Sequence, residues 1–205
     1  SVFDDSPVHV ALPVPPGVQG SGAALSTRTA LAQAADIPAL RVRALVGDDT
    51  LIALLRAHGI EASASSGTRA SLPDMANAFR ALANDGVWTP WAVEAAQWRG
   101  ADRSGKRLWT PQVAWLTGDL LSSRTMPDGR PWHAVMHGRS ADRSTFWSVG
   151  WTRRHTIALR AAHPVAGLWN GVVAALDPAP GEAPPPPPGL EPERLRFEPE
   201  IETER

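Results

Sequence analysis

The chain has 205 residues, 43% of them hydrophobic and 20% charged, with a formal net charge of −1. That composition suits one globular domain with or without a tail, and near-neutral charge without a basic cluster gives no electrostatic basis for nucleic acid as a partner. Cysteine is absent, which excludes disulfides and thiolate chemistry, and no apolar run reaches the roughly 20 residues that span a bilayer.

The first 25 residues, with "PVPPGVQGSG", read as loop. Ser26 is placed to cap a helix over Thr27–Ala34, and Pro38 to open a second one that stops at Gly47. Asp48 and Asp49 cap a third, with Leu51, Ile52, Leu54 and Leu55 inward and Gly59 as its stop. Ser71 caps the clearest helix, in which Leu72, Met75, Ala76, Phe79, Leu82 and Ala83 share a face before Gly86. A hairpin is expected between Trp91–Trp98 and Lys106–Trp109, around "GADRSG".

Thr110 and Pro111 open a further helix with Val113, Leu116, Thr117 and Leu120 on one face. Three strands are expected next, at His133–Gly138, Phe146–Trp151 and His155–Ala161. Trp147, Val149 and Trp151 alternate in the second, and the short "TRRH" turn makes the last two antiparallel neighbours. Pro164 opens a closing helix with Val165, Leu168, Trp169, Val172, Val173 and Leu176 inward. Beyond Asp177 the composition changes to "PAPGEAPPPPPG", a stiff polyproline II spacer of about 3 Å per residue. In the acidic tail that follows, Leu195 and Phe197 share one face of an extended chain, so "RLRFEP" is expected to dock as an edge strand or, on composition alone, to be disordered. The organisation is then a domain over 1–177, a linker over 178–189 and an extended tail over 190–205. The start at Ser1 rather than Met suggests a processed product or a piece of something longer.

Candidate chemistry is sparse. "GADRSGKR" approaches a phosphate-binding loop, but Arg107 replaces the metal-binding hydroxyl and the segment joins two short strands, so a hairpin turn is the reading. His133 and His137 are four apart on a strand, without a third ligand nearby, and define no metal site. The nine tryptophans fall mostly on periodic faces and are expected in the core. Lys106 is the only lysine; Arg103 precedes it by three and Arg107 follows it, so neither S-x-x-K nor K-T-G occurs. No cofactor is implied.

Several segments, in order, resemble the C-terminal part of the transpeptidase domain of class A penicillin-binding proteins, the 1C subgroup above all. They are "VFDDSPV", "TALAQAADIPALRVRALVG", "ASLPDMANAFRALANDGVWTP", "AVMHGRSADRSTFWSVGWTRRHTIAL" and the proline-rich end "PPPPPGLEPERLRFEPEIETER". The resemblance implies an α/β chain with a partial serine-β-lactamase or DD-transpeptidase-like fold, an antiparallel sheet flanked by helices. It implies a site whose S-x-N positions hold Ala34, Ala35 and Asp36, and whose K-T-G positions hold Met136, His137 and Gly138, with Ser140 retained. The S-x-x-K segment would lie upstream of Ser1. The connection over Arg160–His163 is shorter than the family's Gly-rich loop.

Each replacement removes chemistry. The thioether of Met136 supplies neither charge nor proton. His137 could hold a carboxylate only when protonated, and Asp36 would repel an anionic peptide end. Gly138 could allow close approach of a ligand or serve the strand alone. The expectation is a degenerate, periplasmic or extracytoplasmic module of peptidoglycan assembly, acting as a scaffold or as a binder of wall precursor or cell-wall synthesis proteins. An upstream segment of the parent protein, which would also carry any membrane anchor, or another chain is expected to complete its sheet. The alternative is an active transpeptidase whose serine and lysine lie outside this chain.

Overall fold

In the computed structural model, described over residues 2–5, 13, 14, 18, 20–64, 67–94, 99, 104–122, 131–140, 142–179 and 181–191, a three-stranded antiparallel sheet organises the chain. Its strands are the seventh to ninth in chain order: β7 (His133–Arg139), β8 (Phe146–Thr152) and β9 (Thr156–Ala161), in spatial order β7-β8-β9. All three expected strands are present, and the short "TRRH" turn joins β8 to β9 as antiparallel neighbours. Among the described residues there are also three two-stranded ribbons: β1 (Val2–Asp4) with β2 (Ala24–Ser26), β3 (Glu61–Ser63) with β4 (Gly67–Arg69), and β5 (Val87–Trp88) with β6 (Lys106–Arg107). Among the described residues there are six helices, so the chain is mixed α/β.

The helices are α1 (Thr27–Ala32), α2 (Asp36–Val46), α3 (Asp48–Ala57), α4 (Leu72–Ala83), α5 (Pro111–Leu121) and α6 (Ala166–Leu176). Their starts follow local capping chemistry. The Ser26 hydroxyl accepts from the Thr29 amide at 3.1 Å, and Thr110 caps α5 with Pro111 in its first turn. Ser71 and Asp74 form a reciprocal capping box on α4. Helix α2 starts at Asp36 rather than at Pro38; a proline is tolerated in the first turn because amides there have no intrahelical acceptor.

Period-2 alternation sorts the sheet into two faces. On one, Trp132, Ala134 and Trp151 pack with Phe79 and Leu82 of α4 and Leu121 of α5. On the other, Ile157 packs with Trp169 and Val173 of α6, flanked by Val135, Leu159 and Val172. The sheet therefore lies between α4 and α5 on one side and α6 on the other, as expected for the helix opened by Pro164.

The buried stripes of the helices differ from those their hydrophobic spacing predicts. In α5 the buried residues are Ala114 and Gly118, while Val113 and Leu116 face outward. A Cβ on Gly118 would lie 3.1 Å from the Trp151 ring, so the two small residues are what let α5 reach the sheet. In α6 only Trp169 and Val173 are buried, in line with the cap residues Val165 and Asp177, and Leu168 and Leu176 are exposed, because a three-stranded sheet covers little more than one row of a helix. In α4 the most buried positions are Asn77 and Ala81, and Ala83 is exposed. The Asn77 amide donates to the Thr89 carbonyl at 3.2 Å, which brings a polar residue inside. Helix α3 has no buried residue; Leu51, Ile52, Leu54 and Leu55 are half-buried.

Two further expectations need correction. The partner of Lys106–Arg107 is Val87–Trp88, not Trp91–Trp98, since the chain reverses directly after α4; residues 95–98 and 100–103 lie outside the described residues. The proline-rich segment is no free spacer. It lies against α5, with Trp115 Nε1 donating to the Pro184 carbonyl at 2.9 Å. The expected strand at "RLRFEP" lies outside the described residues. Of the tryptophans, Trp132, Trp151 and Trp169 are buried as expected, whereas Trp91 is exposed.

Candidate functional site

A cleft of ≈ 1060 Å³ lies between the α1–α2 turn and the end of β7. Ala34, Asp36, Met136, His137, Gly138 and Ser140 all line it, although about a hundred residues separate the two groups. Most of the remaining wall is apolar, with Leu31, Val42, Leu54, Phe146 and Trp147, and Arg43, Arg139 and Arg143 are also among its lining residues.

The first wall is held by two anchors. Arg28 of α1 pairs with Asp119 at 2.6 Å and donates to the carbonyls of Leu120 and Ser122 at 3.3 and 2.8 Å, and to that of Asp119. A guanidinium on the last carbonyls of α5 satisfies groups that have no intrahelical partner and complements the helix dipole. The second anchor is Asp5, which is buried and accepts from the Ser21 amide and hydroxyl at 2.6 and 2.7 Å. After α1, Ala34 adopts φ 49, the left-handed region that costs a β-carbon-bearing residue about 1 kcal/mol, and turns the chain from α1 into α2. Asp36 then sits exposed in the first turn of α2, where the helix dipole favours a carboxylate without any ligand.

The second wall is β7 and its loop to β8. Met136 and Gly138 point to the α4/α5 side of the sheet, His137 to the α6 side. The His137 ring shares a hydrogen bond of 2.6 Å with the fully buried Ser148, its cross-strand neighbour, and meets Trp169 edge-on at 6.4 Å. Burial, reinforced by repulsion from His133, lowers its pKa, so the ring is neutral near pH 7. Near pH 7 His137 therefore does not present a cation to the cleft. His133 is buried, with Nδ1 directed at the Pro131 carbonyl at 3.2 Å. Among the described residues no third donor joins the two histidines as a metal set.

Gly138 and Ser140 have local structural uses. A Cβ on Gly138 would stand 2.1 Å from Cζ2 of Trp147, so the indole lies over the glycine and covers the backbone that a ligand would have approached. Ser140 ties the β7–β8 loop: its hydroxyl donates to Asp142 and accepts from the Thr145 amide at 3.0 Å. Asp142 also accepts from the Ser144 amide and hydroxyl, and these bonds lower its pKa to about 2. Neither Ser148 nor Trp147 was singled out from the sequence as part of the site; the signal for both is register, Ser148 opposite His137 and Trp147 opposite Gly138.

The serines and the lysine nearest this chemistry are otherwise engaged or distant. Ser148 is buried away from any substrate, Ser140 is committed to its loop, and Lys106 lies on the separate β5–β6 ribbon. What remains is a large, mostly apolar cleft that can bind. Comparison with protein-family models and with curated proteins finds no match for this chain.

Proposed function

We propose that this chain is the C-terminal part of a penicillin-binding, transpeptidase-like domain that has lost its acylation chemistry. On this reading it serves peptidoglycan assembly, outside the cytoplasm, as a scaffold or as a binder of wall precursor or wall-synthesis proteins. The observation that carries the reading is convergence. Positions 34–36 and 136–140, paired only through resemblance to two family motifs, line one cleft beside an antiparallel sheet. The sheet order β7-β8-β9 with α6 across its far face is also what a partial serine-β-lactamase-like fold would have.

The incompleteness of that fold would be met by an upstream segment of the parent protein or by another chain. Three features favour it: Val42, Leu45 and Val46 of α2 are exposed, α3 buries none of its leucines fully, and among the described residues no strand pairs with the outer edge of β9. Among the described residues no helix is long and apolar enough to cross a membrane.

Fluorescent penicillin labelling tests the proposal. The chain, and its Met136→Lys/His137→Thr variant, should give no covalent band, because a restored cation and hydroxyl still lack an activated serine. A serine-dependent covalent band on either, or on a longer parent protein that contains this chain, would identify an active transpeptidase instead.

A further inference from the structure

Residues 181–191 after α6 do more than span distance. Half-buried positions recur at Gly181, Pro184, Pro187 and Leu190, and the residues between them are exposed. That period of three is the repeat of a polyproline II helix with one edge laid on a surface. The surface is α5. Trp115 Nε1 donates to the Pro184 carbonyl at 2.9 Å and Gln112 Nε2 to the Pro188 carbonyl at 2.9 Å, so the segment runs antiparallel to the helix. Before it, the Gly181 carbonyl accepts from the Trp132 amide at 3.2 Å, beside the start of β7.

The chemistry on the two sides is complementary. A run of prolines offers carbonyls and no N–H, and forms no internal hydrogen bonds, so every bond it makes needs an outside donor. Indole offers a donor and no acceptor, and the glutamine amide adds two more N–H groups. Donor side chains spaced along a helix, one of them aromatic, thus meet an acceptor-only ligand. The two carbonyls that are bonded are four residues apart, about 12 Å along a polyproline II axis. Both ends of the segment are shaped to dock it. A Cβ on Gly181 would lie 3.2 Å from the Trp132 nitrogen, and Gly189 has φ +87, the left-handed turn that ends the proline run beside Gln112.

We infer that the Gln112–Trp115 face of α5 is a recognition site for polyproline II peptides, and that residues 181–190 occupy it as a ligand in cis. The site is independent of the cleft and of the function proposed for it. Because the ligand is tethered at a high effective concentration, a proline-rich partner meets a closed site until the strap is displaced.

The test uses the full chain with nitrogen-15 in its indoles, the Trp115 resonance being assigned through Trp115→Phe. Replacing Pro184→Gly and Pro187→Gly removes the stiffness and both seated prolines. The Trp115 indole N–H should then exchange with solvent roughly tenfold faster, as expected when a hydrogen bond worth about 1.4 kcal/mol is lost. A free decapeptide with the sequence of residues 181–190, added at millimolar concentration, should move the Trp115 resonance of this loosened chain and leave the wild type unmoved. Gln112→Ala in the loosened chain should weaken that response roughly 2- to 10-fold. Unchanged Trp115 exchange in the loosened chain, or no response to the peptide, would overturn the site. An equal response by the wild type would overturn its occupation in cis. Should the double variant not fold, Gln112→Ala alone leaves every proline in place: faster Trp115 exchange supports the docked strap, and unchanged exchange refutes it.

Discussion

Gly138 separates a ligand-facing glycine from a structural one, and Gly138→Ala measures the difference. The added Cβ would stand 2.1, 2.5 and 2.7 Å from three carbons of the Trp147 ring. Ordinary carbon–carbon contact is about 3.5–4.0 Å, so the indole must retreat by more than about 1 Å. Gly138 and Trp147 are register partners on adjacent strands, so the backbone offers little relief. Trp147 has to leave its place over the strand, a small-to-large overpacking that costs about 1–3 kcal/mol. Replacing glycine in a strand returns roughly 0.5–1 kcal/mol through the unfolded chain. The net expectation is a loss of about 1–2 kcal/mol, seen as a Tm lowered by roughly 2–8 °C for a chain of this size. The same substitution made in a Trp147→Leu background should be neutral or stabilising, because the clash is gone. Thermal melts of the four proteins in this double-mutant cycle decide it. Equal costs in both backgrounds would refute the contact, and a stabilising Gly138→Ala beside Trp147 would leave the glycine without this role.

Arg28→Met should cost about 2–3 kcal/mol in urea unfolding, since a cationic donor to several α5 carbonyls and to Asp119 is lost together. Arg28→Lys should recover only part of it, because an ammonium lacks the planar fork, and a loss below about 0.5 kcal/mol would show that the clamp is idle. Stability should fall as pH drops below about 6.5, the ordinary histidine value. Burial and His133 lower the His137 pKa in the folded state, so below that pH the unfolded chain binds more protons. His137→Gln should flatten the pH 7–5 part of the urea profile; an unaltered slope would place the titration elsewhere.

Much of the local framework is legible in the sequence. Ser26, Ser71 and Thr110 mark helix starts because a capping oxygen reaches amides two or three residues on, a distance the chain itself sets. The three strands and the β8–β9 turn are equally local, following from alternation and a short connector. That positions 34–36 and 136–138 hold neither a lysine nor a hydroxyl is also read directly, since such a group is absent in any fold. Tertiary structure alone determined the rest. Which row of α5 is buried depended on how closely Trp151 approaches, so Ala114 and Gly118 displaced the more hydrophobic Val113 and Leu116. Strand register placed Ser148 on His137 and Trp147 over Gly138, turning two positions left open by the sequence into structural ones. The proline run reads as a spacer until donors some seventy residues earlier are brought to its carbonyls. Capping and alternation act between near neighbours; burial, register and docking depend on surfaces that exist only once distant segments have met.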